Sequence, residues 1–335
     1  MVLLWGPFGH RADELARAVG AARYNLTFMY GPRYLAPIRY VALSLQTLVV
    51  LFRKRPRVVY AQNPPIFCPL VCMLYCAVSR KRLVVDHHSI WGVKTVGGAV
   101  GRAIGFFERL VARHAYANTA PHPVWGAQLQ AMGGKRVLVV YDHVAKNPYG
   151  RDEEVRARYA GPGALAIASH GGHPLERVES EIRAAASVPG LTLIITGPEA
   201  KLKSRISALI PGGRAKYVGM LPMEEYLRLK ASCDFALNIT DEPYTLSHVI
   251  FEYVASSLPV ISSRQEVVEE VFGDSLLYVD SSSSHIVASK VAQLLASPNM
   301  LAVQREKASR KFSELEAVRK DGVSRLRSLV LLPGG

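Results

Sequence analysis

The feature that most constrains the fold of this chain is an alternation repeated along its whole length. Short, continuously apolar runs are each followed by a stretch of helical periodicity. Runs of strand character fall at residues 2–5, 25–30, 57–62, 82–88, 115–119 and 136–141. A second set falls at 164–169, 191–196, 215–219, 234–238, 259–262 and 276–279. Helical stretches between them include 13–19, 106–114, 176–186, 223–231 and 248–255. Strands that are apolar throughout, and not alternately, are buried on both faces, as parallel strands flanked by helices are. Six such strands in each half, joined through helices, predict an α/β chain of two doubly wound, Rossmann-like sheets facing a central cleft. The length of 335 residues suits two domains of about 150 residues each. A linker rich in Pro, Gly and charge at 142–163 divides a first domain, 1–150, from a second, 151–310. The basic amphipathic end, 311–335, is expected to be helical and to cross back to the first domain.

The charge is unevenly placed. Residues 1–150 hold 19 Lys and Arg against 5 Asp and Glu, whereas residues 151–335 hold 22 of each. An excess confined to one half implies an anionic partner for that half: nucleic acid, acidic lipid headgroups or a phosphorylated substrate. Two apolar runs carry basic edges. Residues 40–52 precede Arg53, Lys54, Arg55 and Arg57, and residues 66–78 precede Arg80, Lys81 and Arg82. Neither reaches the roughly 18–20 apolar residues of a membrane span. An apolar face with a cationic edge is how a helix lies on an anionic leaflet, and it is equally how a buried helix ends in dipole-compensating cations. Membrane contact is the expectation, because the feature occurs twice. The chain opens on an apolar strand without a basic leader, so a cytoplasmic location, peripheral on the membrane, is expected. Cys68, Cys72 and Cys76 share one helical face but match no metal-ligand spacing, and read as small core residues.

Ligands of such sheets bind beyond the C-terminal ends of the strands. After the first strand come Gly6 and Gly9, which allow close backbone approach at a helix start. The full dinucleotide fingerprint is missing, and no acidic residue follows the second strand, which argues against hydride transfer. After the third strand come Gln62 and Asn63, and after the fourth Asp86, His87, His88 and Ser89. A carboxylate with imidazoles at a strand end is a plausible acid/base or oxygen-binding group. Near residue 248 a helix opens behind the loop 243–247. Its amides and dipole suit a diphosphate, with Thr245 and Ser247 as hydroxyl donors and Leu246 between them. Glu252 lies one turn beyond His248 on the same face, placed to grip ribose hydroxyls.

The run RVVYAQNPP, an apolar helix and RLVVDHHS (57–89) together resemble the acceptor domain of GT-B glycosyltransferases. The motif is most similar to the β-mannosyltransferases that add the first mannose to chitobiosyl-diphosphodolichol. Asp86, His88 and Ser89 match that family's strand end, with His87 in an aromatic place. In the second half LIITGP, YVGML, DFALNIT and TLSHVIFEYVASSLPV resemble the donor domain of family-4-like enzymes. The resemblance implies a GDP-mannose donor, a lipid-diphosphate-linked oligosaccharide acceptor, and a catalytic base at Asp86 or His88. It places the acceptor against Gln62, Asn63, His87 and Ser89. It places the donor against Gly9, Gly171, Gly172, Arg177, Thr245, Leu246, Ser247, His248 and Glu252, with the base near Gly219, Met220 and Leu221. The chain departs from the family twice. Where retaining members carry the first Glu of Glu-x7-Glu it has Tyr244, with Glu242 two residues earlier. The usual Arg/Lys pair that clamps the diphosphate is also missing, leaving Gly171 and Gly172 as amide donors and Arg177 as the nearest cation.

No two aspartates stand two residues apart, so the Asp-x-Asp metal site of the other sugar-transferase fold is absent and no obligatory metal or other cofactor is expected. Two alternatives remain: a related enzyme using a UDP-sugar on a soluble or polysaccharide acceptor, and a non-catalytic module binding membrane or nucleic acid. The basic residues follow apolar helices and do not interleave with exposed aromatics, which counts against nucleic acid.

Overall fold

A computed structural model of the chain describes residues 1–6, 9–28, 33–88, 97–160, 163–210, 214–242 and 246–331. It divides into two compact units. One comprises residues 1–143 and 316–335, the other residues 144–315.

The first unit runs β1 (Val2–Trp5), α1 (His10–Val19), β2 (Arg23–Leu26), α2 (Ala36–Lys54), β3 (Val58–Asn63), α3 (Phe67–Ser79), β4 (Arg82–His87), α4 (Gly98–His114), β5 (Ala117–Ala120), α5 (Pro123–Ala131) and β6 (Val137–Val139). Its six strands are all parallel, in the order β2-β1-β3-β4-β5-β6. The chain direction reverses across the sheet between β1 and β3, which is where such sheets open a crevice for a ligand. The strands are buried on both faces, with Leu3, Val59, Cys72 and Val85 in one core and Val2, Tyr60, Val84 and Leu138 in the other. β2 is shorter than expected and begins earlier, because Arg23–Leu26 is the stretch that pairs with Val2–Trp5. Only Leu43, Thr47 and Leu51 of α2 turn inward, and Thr47 accepts a 2.8 Å hydrogen bond from the Trp5 indole. The helix is long and apolar enough to cross a membrane by length and composition. Through Leu43 and Leu51 it packs on the core of the first unit. Cys68, Cys72 and Cys76 are buried in the core behind α3, and burial pushes the Cys76 thiol up to about 12.

The second unit contains α6 (Glu153–Tyr159), β7 (Ala164–Ser169), α7 (Val178–Ser187), β8 (Leu191–Thr196), α8 (Glu199–Ile206), β9 (Ala215–Gly219), α9 (Met223–Ser232), β10 (Phe235–Asn238), α10 (His248–Ala255), β11 (Val260–Ser263), α11 (Glu266–Phe272), β12 (Leu277–Val279) and α12 (Ser284–Leu295). Its strand order, β12-β11-β10-β7-β8-β9, is that of a Rossmann sheet, with the switch point between β7 and β10. The last helix, α13 (Pro298–Leu331), begins against the core of this unit through Met300 and Leu301. From Glu316 onward it belongs to the first unit, where Leu326 is buried beside Val2, Leu4 and Val140. Gly322 permits that packing, since a Cβ there would strike the Val139 carbonyl of β6.

Candidate active site

Both switch points carry polar side chains, and the two clusters differ in character. In the first unit the centre is Arg11, in the opening turn of α1. Its guanidinium is buried and donates to Asp86 at 2.9 Å through both Nε and Nη2, to the Val140 carbonyl at 2.7 Å and to Asp142 at 2.8 Å. Asp86 also accepts from the Thr119 hydroxyl at 2.7 Å. Burial alone would raise the Asp86 pKa. The charge and hydrogen bonds of Arg11, aided by His88 and Thr119, outweigh that and hold it below the usual carboxylate range. Asp86 is therefore corrected from candidate base to buried anchor. It is 1% exposed, both oxygens are engaged, and its low pKa makes it a poor proton acceptor.

His87 is likewise reassigned. It is wholly buried, with Nε2 3.0 Å from Asn118 Oδ1 and Nδ1 3.5 Å from Asn63 Nδ2, and its carbonyl accepts from the Trp125 indole at 2.9 Å. Burial lowers its pKa to about 4, so it is a neutral strut and makes no acceptor contact. Asn63 is buried with it and also bonds Glu108 of α4, whose carboxyl burial pushes up to about 7. His122, at the N-cap of α5, accepts from the Trp125 amide, and burial lowers its pKa to about 4.

The other first-unit candidates lie nearer the surface. His88 continues the ladder through its amide, 2.8 Å from the Asn63 carbonyl, and its side chain is half-buried. Among the described residues Nδ1 of His88 and Oε1 of Gln62 are buried polar atoms with no hydrogen-bond partner. A Cβ on Gly9 would crowd Leu4 and approach that Gln62 oxygen, so the glycine keeps the strand-end space open. At the same edge a cleft of ≈ 370 Å³ is lined by Trp5, Gly6, Phe28, Arg39, Tyr40 and Pro64. Ser89 lies outside the described residues.

In the second unit the loop after β7 forms an anion nest that is already filled. The amides of Gly171, Gly172 and His173 donate at 2.8–2.9 Å to the carboxylate of Glu176. Gly172 takes φ +80°, and a Cβ there would clash with the Lys201 side chain of α8. Beneath the loop His170 Nε2 lies 2.6 Å from Glu181 and Nδ1 3.6 Å from Glu176. Burial would lower the His170 pKa, but the charge of Glu181 and the bonds to both carboxylates raise it to about 10, making it an imidazolium. Gly171 and Gly172 thus do not offer free amides as expected, since their N–H groups are engaged internally. Arg177 is paired with Asp241 and is not a free cation. The cation over the loop is Lys201, whose Nζ lies 3.4 Å from the Gly171 carbonyl.

Across the switch point stands α10. Ser247 is its N-cap, and among the described residues no side-chain hydrogen bond caps the helix. Glu252, one turn in, has Oε2 2.9 Å from Lys230 Nζ and 2.9 Å from the Tyr226 hydroxyl, while Oε1 lies 3.7 Å from His248 Nε2. Lys230 is 2% exposed, and burial lowers its pKa against the raising effect of Glu252. The Ser169 amide donates to the Tyr253 hydroxyl at 2.8 Å, tying α10 to the end of β7. The structure therefore brings Ser247, His248 and Glu252 to the crevice, with Leu246 half-buried beside them. Gly219 closes β9 at φ +71°, followed by the exposed Met220 and half-buried Leu221. Glu242 pairs with His173 at 3.2 Å. Thr245 and Tyr244 lie outside the described residues.

Residues missed at the sequence level include Arg11, Glu176, Glu181, Lys201, Tyr226 and Lys230. Only Lys230 had a signal. It shares a helical face with Tyr226 in an amphipathic helix, where a cation on an inward position needs a partner.

Residues 2–143 match the model of the glycosyl transferase 4-like domain, and residues 177–317 match that of a glycosyl transferase-like domain. No curated protein matches the sequence. Among solved structures the chain superposes on HepE of Anabaena, in complex with UDP, with a TM-score of 0.76 at 15% identity, covering 98% of this chain and 99% of that one. Sucrose-phosphate synthase of Thermosynechococcus elongatus gives 0.80 at 13% identity and 98% of both chains. WaaG, a glycosyltransferase involved in lipopolysaccharide biosynthesis, gives 0.71 at 12% identity, over 99% of this chain and 100% of that one. At these identities the likeness carries the architecture, and the two domain models carry the family. With a glycosyl transferase 4-like domain before a second glycosyl transferase-like domain, the chain is a glycosyltransferase of the GT-B type.

Proposed function

We propose that this enzyme moves mannose from GDP-mannose to a lipid-diphosphate-linked oligosaccharide on the cytoplasmic face of a membrane. The observation that carries the donor side is Glu252. One oxygen is fixed by Lys230 and Tyr226, and the other lies 3.7 Å from His248 Nε2 in the first turn of α10. That oxygen would hold the ribose, the helix start with Lys201 would meet the diphosphate, and no metal ion would be required. On the acceptor side His88 is the base. It takes the proton of the acceptor hydroxyl as that oxygen bonds the anomeric carbon. The bond from that carbon to the diphosphate breaks, and the nucleoside diphosphate leaves with the electron pair. The membrane reading is supported by a stripe on α2: Ile38, Val41, Leu45, Val49 and Phe52 are each at least half exposed, and the helix ends in Arg53 and Lys54.

A second donor has its own support, since HepE binds UDP. A UDP-sugar would use the same carboxylate and helix start. Thermal melting of the purified chain with each nucleotide sugar tests the assignment, because a ligand bound only by the folded state raises its midpoint. A shift with GDP-mannose is expected. A shift with UDP-glucose alone would move the assignment to the UDP-sugar reading, and no shift with either would reject the donor site. Transfer of labelled sugar should be lost in His88→Ala while the donor shift persists.

A further inference from the structure

At the opposite end of the first sheet from His88, where β4, β5 and β6 begin, lies a cleft of ≈ 530 Å³ between the ends of α3 and α4. Its rim carries Lys81, Arg82, Arg113, Lys135 and Arg136, and no Asp or Glu lines it among the described residues. Elsewhere in the first unit Asp86 and Asp142 pair with Arg11, Glu14 with Arg17 and Asp13 with Arg23. The cationic groups are held in place. The guanidinium groups of Arg82 and Arg136 both lie over the Tyr116 ring, 4.7 and 4.5 Å from its centroid. Arg136 donates to the Tyr116 carbonyl at 3.2 Å, and Arg113 to the Met132 carbonyl at 2.9 Å. Two like charges drawn to one ring repel each other, and a bound anion relieves that repulsion. Arg136 also sits at φ +46°, a conformation unfavourable for any residue with a Cβ. Unlike Arg55 and Arg80, which take the same conformation to end α2 and α3, it caps no helix.

The floor and mouth of the cleft are apolar. Met73, Ala77 and Leu110 line it, and Leu74, also in the lining, is 62% exposed. Val78, one turn along α3 from Leu74, is 79% exposed. A free phosphate would leave this surface in water, whereas a phospholipid would cover it with the start of an acyl chain. We propose that this cleft binds the headgroup of an anionic phospholipid, with the phosphate between Arg82 and Arg136 and the chain against Leu74. It rests on the membrane reading above and gives that reading a second, headgroup-selective anchor apart from the α2 stripe.

Co-sedimentation of the full chain with phosphatidylcholine vesicles, with and without phosphatidylglycerol, tests it. Arg82→Gln/Arg136→Gln should weaken partitioning onto phosphatidylglycerol vesicles roughly 10- to 30-fold, at about 1 kcal/mol for each cation lost. Lys81→Gln/Lys135→Gln, at exposed lysines, should act in the same direction if the first pair disturbs folding. The charge-matched Arg183→Gln/Arg310→Gln in the second unit should leave partitioning unchanged. Equal weakening by cleft and control pairs, or none by the cleft pairs, would overturn the headgroup site while the membrane reading stood. Failure of the unaltered chain to bind either vesicle would overturn both. A rise in thermal midpoint with glycerol phosphate alone, abolished by Arg82→Gln/Arg136→Gln, would replace the lipid with a soluble phosphate and refute the proposal.

Discussion

If a donor phosphate uses the amides of Gly171, Gly172 and His173, Glu176 stands in its place, and removing it should move stability and affinity in opposite directions. Its carboxylate accepts three amides at 2.8–2.9 Å, is 23% exposed and lies 3.6 Å from the His170 imidazolium. Hydrogen bonds to a charged group contribute about 1.5–3 kcal/mol each when buried. Here one carboxylate serves three donors and water can replace part of the set, so about 2–3 kcal/mol in total is reasonable for Glu176→Ala. At roughly 2–4 °C per kcal/mol for a unit of this size, the second-domain transition should fall by about 5–10 °C. A nucleoside diphosphate that uses the same amides must first break those bonds in the unaltered chain. In Glu176→Ala it need not, and a repelling charge is gone as well. Affinity should then rise by about 2 kcal/mol, roughly thirtyfold. Calorimetric titration with GDP and UDP, beside thermal melts of the same preparations, reads both quantities. Affinity that stays level or falls together with stability would show that the phosphates bind elsewhere and that Glu176 only shapes the loop.

Asp86→Ala should destabilise the first unit by about 3–5 kcal/mol, because it strands the buried Arg11 charge. His88→Ala should instead keep the melting curve and lower turnover by about 10²–10⁴; matching melting losses in the two variants would refute the division of roles. The histidines give the two units opposite pH responses. His87 and His122, at about 4, stay neutral in the fold, so protons favour the unfolded chain. Their contribution, up to about 3 kcal/mol each, is present above pH 6.5 and lost as pH falls toward 4. His170, raised to about 10, contributes fully below pH 6.5 and loses that contribution as pH rises through 10. Calorimetry across pH should show the acid loss flattened in His122→Asn, which keeps an N-cap acceptor, and the alkaline loss removed in His170→Gln. Glu252→Gln should weaken nucleotide binding about tenfold with little change in stability, since an oxygen still faces Lys230. Glu252→Ala should in addition destabilise by several kcal/mol by leaving that ammonium unpaired.

The architecture was legible because parallel strands buried on both faces are written as continuous apolar runs, and these stand in register from Val2 to Val139 and from Ala164 to Val279. Strand ends were less legible. Asn25 to Tyr30 reads as a better strand than Arg23 to Leu26, yet pairing with Val2–Trp5 selects the latter over local propensity. The candidate site was legible to the level of which strand ends carry polar residues, and no further. A motif such as Asp86-His87-His88 does not say which member is buried, because that depends on what the neighbouring strand and helix bring. Here Asn118 on β5 takes His87 and Arg11 on α1 takes Asp86, leaving His88 half-exposed. Gly171 and Gly172 have the same limit. Their sequence permits an anion nest, but only the fold shows Glu176 sitting in it.

The charge asymmetry between the halves acquires a physical meaning from the same contacts. The first 150 residues contain only Asp13, Glu14, Asp86, Glu108 and Asp142 as carboxylates. Four are held in ion pairs with Arg23, Arg17 and Arg11, and the fifth is buried against Asn63. None remains to neutralise the ends of α2 and α3 or the start of β6. Among the described residues Arg53, Lys54, Lys81 and Lys135 form no ion pair, and each is exposed beside an apolar helix end or cleft. These four stand at the ends of α2 and α3 and the start of β6, beside the exposed apolar residues of α2 and α3. A field of that kind is screened over about 8 Å at physiological ionic strength. Vesicle binding that rests on it should weaken steeply as salt rises, whereas nucleotide binding at Glu252, in a unit of balanced charge, should respond far less. Equal salt dependence of the two would mean that the excess charge has no bearing on where the enzyme docks.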